Sequence, residues 1–398
     1  MKRVVVVSVG LAALMVGVVV AWYAVRQERE FQRLIAAGDA ALAADQTYGA
    51  IEAFSGALAL KSDSMLAHLK RGDTYRRRGE LTAALRDLRE AATLDPSAPR
   101  PLELLGDVNS AMGRVQRAAE HYRAFIALDD RSPRVLYKLA LAYYRSGQTQ
   151  DAIAPLRSAV ALNGRFAEAH YLLGMCLRDR RNDEEAQRAL ARAVELNPAF
   201  AAAREELVDL YERARRRRDA LDQLEALAAL EPMRAERLLS VALAYARWGR
   251  TEAAILTLGR AAERYPDQAN VYTAIGRVWL DAAETRNDRV ALSKAIEALA
   301  PLAASTSTSG EVLALYGRAM LLAGDARAAE RILLQAAART PVDPDTLRRL
   351  ADAAQRLGHL AVARDALRRY ITLADERDVD PATAVRLATL EERLSRVG

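Results

Sequence analysis

Residues 133–166 read PRVLYKLALAYYRSGQTQDAIAPLRSAVALNGRF. Apolar side chains recur there at helical spacing twice, at Leu136, Leu139, Ala140 and Tyr143 and again at Ala152, Ile153, Leu156 and Ala159. Steps of three and four place each set on one face of a helix. Ser146-Gly147-Gln148-Thr149 between them is a polar turn carrying a glycine, so the stretch predicts two short antiparallel helices. A hairpin of this size cannot bury its apolar face alone and needs stacked neighbours.

The chain supplies them. Steps of 34 residues mark out seven ungapped copies over residues 31–268. The twentieth position of each copy is alanine: Ala50, Ala84, Ala118, Ala152, Ala186, Ala220 and Ala254. The eighth is Gly38, Gly72, Gly106, Ala140, Gly174, Val208 and Ala242. Small residues at both points let paired helices approach closely. The eleventh is often tyrosine (Tyr75, Tyr143, Tyr211, Tyr245), and proline often follows the second helix (Pro96, Pro198, Pro232, Pro266).

This pattern resembles the tetratricopeptide repeat (TPR) family. The resemblance implies an all-α, right-handed superhelical solenoid of about ten helix hairpins with a C-terminal capping helix. The seven regular copies are followed by an atypical one at 269–309, whose matching alanine, Ala295, comes seven residues late. Each helix of that hairpin is therefore expected to be longer by about one turn, with Asp288 as the N-cap of the second. Pro301 and the polar run at 305–309 then predict a break. Two regular copies occupy 310–377, and residues 378–398 form the cap, with Asp380-Pro381 at its start and Leu387, Leu390 and Leu394 along one stripe. Arg181 and Arg215 replace the turn glycine in two copies, which predicts looser turns, and Pro155 inside a second helix predicts a bend.

The N-terminus reads differently. Residues 1–3 are basic, and residues 4–25 carry no charge and end in an Ala-Trp-Tyr-Ala-Val run. At 1.5 Å per residue the segment spans roughly 33 Å, which predicts a transmembrane helix acting as a signal anchor. Residues 1–3 would be a cytoplasmic tail and the protein a single-pass inner-membrane protein with periplasmic repeats. Cytoplasmic repeats, or cleavage after Ala21, are the alternatives.

Composition narrows the function. Apolar residues make up 51% of the 398 and aromatics 6%, which suits thin helix-on-helix packing. The net charge of +6 is a mild bias that identifies no partner. The single cysteine, Cys176, excludes a disulfide framework and any multi-cysteine metal site, and reads as a packing residue. His68 and His170 read as core residues, and His121 and His359 have no partner at metal spacing. No glycine-rich phosphate loop or catalytic constellation is present, so no enzyme, cofactor or metal is expected.

Two surfaces are candidates for binding. The TPR resemblance implies that positions 2, 5, 9 and 12 of the first helices face a peptide-binding groove. In this sequence they include Leu69, Asp73, Glu103, Asp107, Tyr137, Leu141, Tyr144, Tyr171, Met175 and Arg178. A protein or peptide partner held there defines a membrane-anchored interaction scaffold, in envelope assembly or secretion, that works by recruitment. The alternative is a polyanion-binding or envelope-polysaccharide assembly factor. It would use an arginine ridge formed by Arg76, Arg77 and Arg78 with Arg215, Arg216, Arg217 and Arg218. Nucleic acid is not expected, because no aromatic residues interleave the basic runs. The sequence does not define an oligomeric state.

Overall fold

A computed structural model describes residues 2–305, 308–374 and 381–396, with side chains from residue 14 onward except that of Pro381. Among the described residues there are 21 helices and no strand. The chain divides into two compact units, Met1–Leu210 and Tyr211–Gly398.

The first unit holds five hairpins: α1 (Lys2–Ala43) with α2 (Thr47–Leu60), α3 (Met65–Arg77) with α4 (Leu81–Leu94), α5 (Pro99–Ala111) with α6 (Val115–Leu128), α7 (Pro133–Arg145) with α8 (Thr149–Leu162), and α9 (Ala167–Asp179) with α10 (Asp183–Leu196). α11 (Ala201–Arg213) runs across the division. The second unit continues with α12 (Arg217–Leu230), α13 (Ala235–Arg247), α14 (Thr251–Arg264), α15 (Ala269–Arg286) and α16 (Arg289–Ala303). It ends with α17 (Gly310–Leu322), α18 (Ala326–Ala337), α19 (Pro344–Leu357), α20 (Leu360–Leu373) and α21 (Pro381–Ser395).

The alanine of each second helix explains the packing. All seven in the regular copies are fully buried, as are Ala295, Ala329 and Ala363 of the later hairpins. The small residue at position eight has an equally definite task. A Cβ on Gly106 would lie 2.3 Å from the Tyr122 ring, and one on Gly38 would lie 2.3 Å from Phe54. The first helix therefore gives up its side chain so that a large one from the second helix can lie across it. Val208, Phe125 and Leu227, which depart from the small-residue pattern, are buried and pack.

The glycine turns have positive φ, for example 79° at Gly147. Arg181 and Arg215 adopt the same left-handed conformation, at 59° and 57°. The turns there are no looser: Asn182 N donates to Leu177 O at 3.0 Å, as Gln148 N does to Tyr143 O at 2.9 Å. Hydrogen bonding holds the geometry, and the arginines carry its steric cost. α8 continues through Pro155 with the same 14 residues as α10.

The atypical hairpin splits its seven extra residues. α15 has 18 residues where α13 has 13, and Ala295 is the seventh residue of α16 where Ala152 is the fourth of α8. Asp288 caps α16, accepting from Val290 N at 2.8 Å and Ala291 N at 3.2 Å. Pro301 falls inside α16, so the break comes after Ala303 rather than at the proline. Asp380 lies outside the described residues. α21 packs on α20 with Leu390 buried and Arg368 bonded to Glu391, as a capping helix requires.

The expected membrane anchor is overturned. Among the described residues, no helix is long and apolar enough to cross a membrane. The side chains of residues 4–13 lie outside those described. α1 then continues without a break through Arg26, Glu28, Arg29 and Glu30 into the first repeat. There Lys61 pairs with Glu28 and lies over the Phe31 ring at 4.7 Å, and Gln27 donates to Leu60 O at 2.7 Å. The single-pass inner-membrane placement, with repeats on either side, and the recruitment argument built on an anchor lose their basis.

Candidate functional site

The first helices of the unit-one hairpins share a face along which ion pairs run from one repeat to the next. Lys70 of α3 reaches Asp39 of α1 at 2.6 Å, and Lys138 of α7 reaches Asp107 of α5 at 2.7 Å. Both join the sixth position of one copy to the ninth of the copy before it. Arg178 of α9 is paired with Glu206 of α11. α3 also touches α5, and α7 touches α9, directly.

The pairing divides the ten expected groove residues. Glu103 is only 3% exposed and is held by Arg100, by Arg134 at 3.0 Å and by Lys138 at 2.8 Å. Burial works to raise its pKa, but the Lys138 hydrogen bond and the three cations outweigh that and hold it below the usual carboxylate value. Asp107 also accepts from the Tyr122 hydroxyl at 2.8 Å. Asp73 binds Arg76 and Arg77 on its own helix at 2.7 and 3.2 Å. Glu103 and Asp107, with Arg178, tie neighbouring repeats together, whereas Asp73 is held within α3. Leu69 packs with Leu85, Leu88 and Leu104 in a core cluster.

Five residues remain on α7 and α9, all half-buried: Tyr137, Leu141, Tyr144, Tyr171 and Met175. Two of them have aromatic partners that reading by positions two, five, nine and twelve missed. Tyr137 stacks on Phe166 with ring centroids 5.0 Å apart and a 49° tilt, and Tyr171 stacks on Phe200 at 4.7 Å and 43°. The two pairs are one repeat apart and nearly identical in geometry. The signal was present in the sequence, since Phe166 and Phe200 both stand at position 34. Burial raises the phenol pKa of Tyr137, Tyr144 and Tyr171, helped by the nearby carboxylates of Glu168, Asp179 and Glu206 respectively. All three are therefore neutral hydrogen-bond donors around pH 7, and none has a hydrogen-bond partner among the described residues.

The arginine ridge fares differently. Arg76 and Arg77 are bound to Asp73, while Arg78 donates to Glu80 at 2.7 Å and stacks on Tyr48 at 3.4 Å. In the second unit Arg215, Arg216, Arg217 and Arg218 are exposed, with Arg216 bonded to Asp219 at 2.9 Å and lying over Tyr211.

Two further expectations concern chemistry. Cys176 is fully buried and burial pushes its thiol up to about 12, so it stays a neutral core side chain. His68 lies 3.7 Å from Asp87, a buried carboxylate that also takes both arms of Arg71 at 2.6 and 2.9 Å. No group of three or more potential metal ligands occurs among the described residues.

Comparison with known proteins agrees with the repeat geometry. The family described as "Tetratricopeptide repeat" matches residues 137–199 and 206–269, and the one described as "Bacterial transcriptional activator domain" matches residues 28–165. Among solved structures, the C-terminal part of a TPR repeat-containing protein from Cytophaga hutchinsonii is 15% identical, with a TM-score of 0.51, covering 60% of this chain and 97% of its own. YrrB, described as a TPR protein with an unusual peptide-binding site, is 24% identical over 46% of this chain and 94% of its own, with a TM-score of 0.43. MamA is 27% identical over 42% of this chain and 96% of its own, with a TM-score of 0.40. No curated protein matches the sequence. The match over residues 137–199 and 206–269 agrees with the 34-residue period, the hairpins and their buried alanines, and identifies those two stretches as tetratricopeptide repeats.

Proposed function

We propose that this protein is a non-catalytic scaffold whose first-helix face on α7 and α9 holds a peptide or protein segment. One observation carries the reading: two Tyr–Phe pairs repeat one copy apart on that face, beside Tyr144 and Met175. Rigid aromatic side chains with polar tips, flanked by methionine, are what binding hot spots are made of. Glu103, Asp107, Lys138, Arg178 and Glu206 are paired within the fold, so they fix the shape of the groove and leave the rings to make the contact.

Selection of peptides from a displayed library on the full chain tests this. The enriched peptides are expected to bind the Tyr137→Ala/Tyr171→Ala variant at least about 30-fold more weakly, as loss of a hot spot worth 2 kcal/mol or more implies. Unchanged affinity, with the variant still helical by circular dichroism, would show that binding lies elsewhere.

A further inference from the structure

We propose that the floor formed by Tyr137, Phe166, Tyr171 and Phe200 binds a proline-rich segment in the polyproline II conformation, with a basic residue set against Glu168. The inference rests on the groove reading above and names its occupant. Three features select this chemistry over other extended or helical chains.

The first is spacing. α7 and α9 are neighbours, and packed helices lie roughly 8–10 Å apart. The two aromatic pairs sit at equivalent points on them. A polyproline II chain advances about 9 Å per three-residue turn, so prolines three apart meet successive pairs.

The second is the set of free donors. Tyr137, Tyr144 and Tyr171 each carry a hydroxyl with no hydrogen-bond partner among the described residues. Such donors need acceptors on the ligand. An α-helix has its carbonyls committed to its own ladder, whereas polyproline II has no internal hydrogen bonds and presents every carbonyl. The flat rings meanwhile take the proline rings, and a chain already extended loses little entropy on binding.

The third is charge. Lys138, Arg178 and Glu206 around the floor are paired within the fold. Glu168, the second residue of α9, is exposed and has no ion-pair partner among the described residues. It is one residue from the buried Ala167 and two from Phe166, the ring stacked on Tyr137. Arg145, at the end of α7, is likewise exposed and without an ion-pair partner among the described residues, so the complement of this face is an uncharged backbone that sets its one cation at Glu168.

The test uses the full chain and two fluorescein-labelled probes, followed by anisotropy. One is a peptide of ten prolines ending in arginine; the other is an amphipathic helical peptide of equal length. The proline probe is expected to bind, and the Tyr137→Phe/Tyr144→Phe/Tyr171→Phe variant, which keeps every ring, to weaken it at least about tenfold. Glu168→Gln should weaken it about twofold to fivefold. Failure of the proline probe to bind, or equal binding to the phenylalanine variant, would overturn the proposal. If instead the helical probe binds and Tyr137→Ala/Tyr171→Ala abolishes it, the groove reading stands and the polyproline ligand is wrong. If the proline probe binds Tyr137→Ala/Tyr171→Ala as tightly as the parent, the groove reading itself fails.

Discussion

Gly106 and Glu103 lie three residues apart on α5, and each shows how a single side chain is committed here. The Tyr122 ring occupies the space where a Gly106 Cβ would be, and its hydroxyl is bound to Asp107, so the ring has nowhere to withdraw. Gly106→Ala is expected to lower stability by about 1–3 kcal/mol, as overpacking does. Gly164→Ala, whose new methyl comes no nearer than 3.8 Å to any atom, should change it by less than about 0.5 kcal/mol. Urea unfolding of both variants measures the contrast. Glu103 makes a pH-dependent prediction. Its pKa is held below the usual 4.5, so its contribution to stability is complete above the unfolded value and is lost as pH falls through the lower folded one. Glu103→Gln should cost about 1–3 kcal/mol at pH 7. The gap between parent and variant should narrow progressively as the pH falls below the usual carboxylate value; a gap of constant size down to acid unfolding would show that the carboxylate's charge is not what matters.

Helices and turns carried much of their own information. The ten alanines and the glycines opposite them were readable because a packing constraint repeated every 34 residues cannot be met by varied side chains. The Asp288 cap was readable for a local reason, its carboxylate reaching donors two and three residues on. Arg181 was misread because the turn's φ is held by hydrogen bonds from both flanking helices, which a residue-by-residue propensity does not contain. Pro155 makes a prediction at this scale. α8 keeps its full length although the Asp151 carbonyl has no N–H to accept from at residue 155. Pro155→Ala restores that donor, and the variant should be more stable by about 1–3 kcal/mol. Hydrogen exchange along α8 should slow accordingly; unchanged exchange would mean water already serves that carbonyl at no cost.

For the molecule as a whole, the kind of ligand decides the salt response. Binding to the aromatic face should change less than about threefold between 50 and 200 mM salt, because its contacts are rings and neutral hydroxyls. A polyanion spread over six or more arginines would lose about a thousandfold or more across the same range. A titration with the selected peptides distinguishes them, and a steep fall would favour the basic runs. The fold was legible because its period is long and its packing residues few. The candidate site was legible only in part: Tyr137 and Tyr171 came from the positions the TPR resemblance assigns to a groove, whereas Phe166 and Phe200 stand at position 34, outside those positions, and the pairing of Glu103, Asp107 and Arg178 depends on side chains reaching between copies. The apolar N-terminal run was read as an anchor from its hydropathy alone, whereas among the described residues no helix is long and apolar enough to cross a membrane.

The glycine-and-alanine contact between paired helices has a consequence for how such a chain changes length. That contact is made inside each copy, so excising residues 133–166 would remove α7 and α8 as a closed pair and leave α6 to meet α9, which follows it at the same offset as α7 did. A loss of any other length rotates the next helix by about 100° for each residue out of step and turns its apolar stripe toward water. Growth and loss in this gene are therefore quantised: whole copies can come and go as interchangeable parts, while the two that carry Tyr137 and Tyr171 cannot be spared without erasing the surface they build.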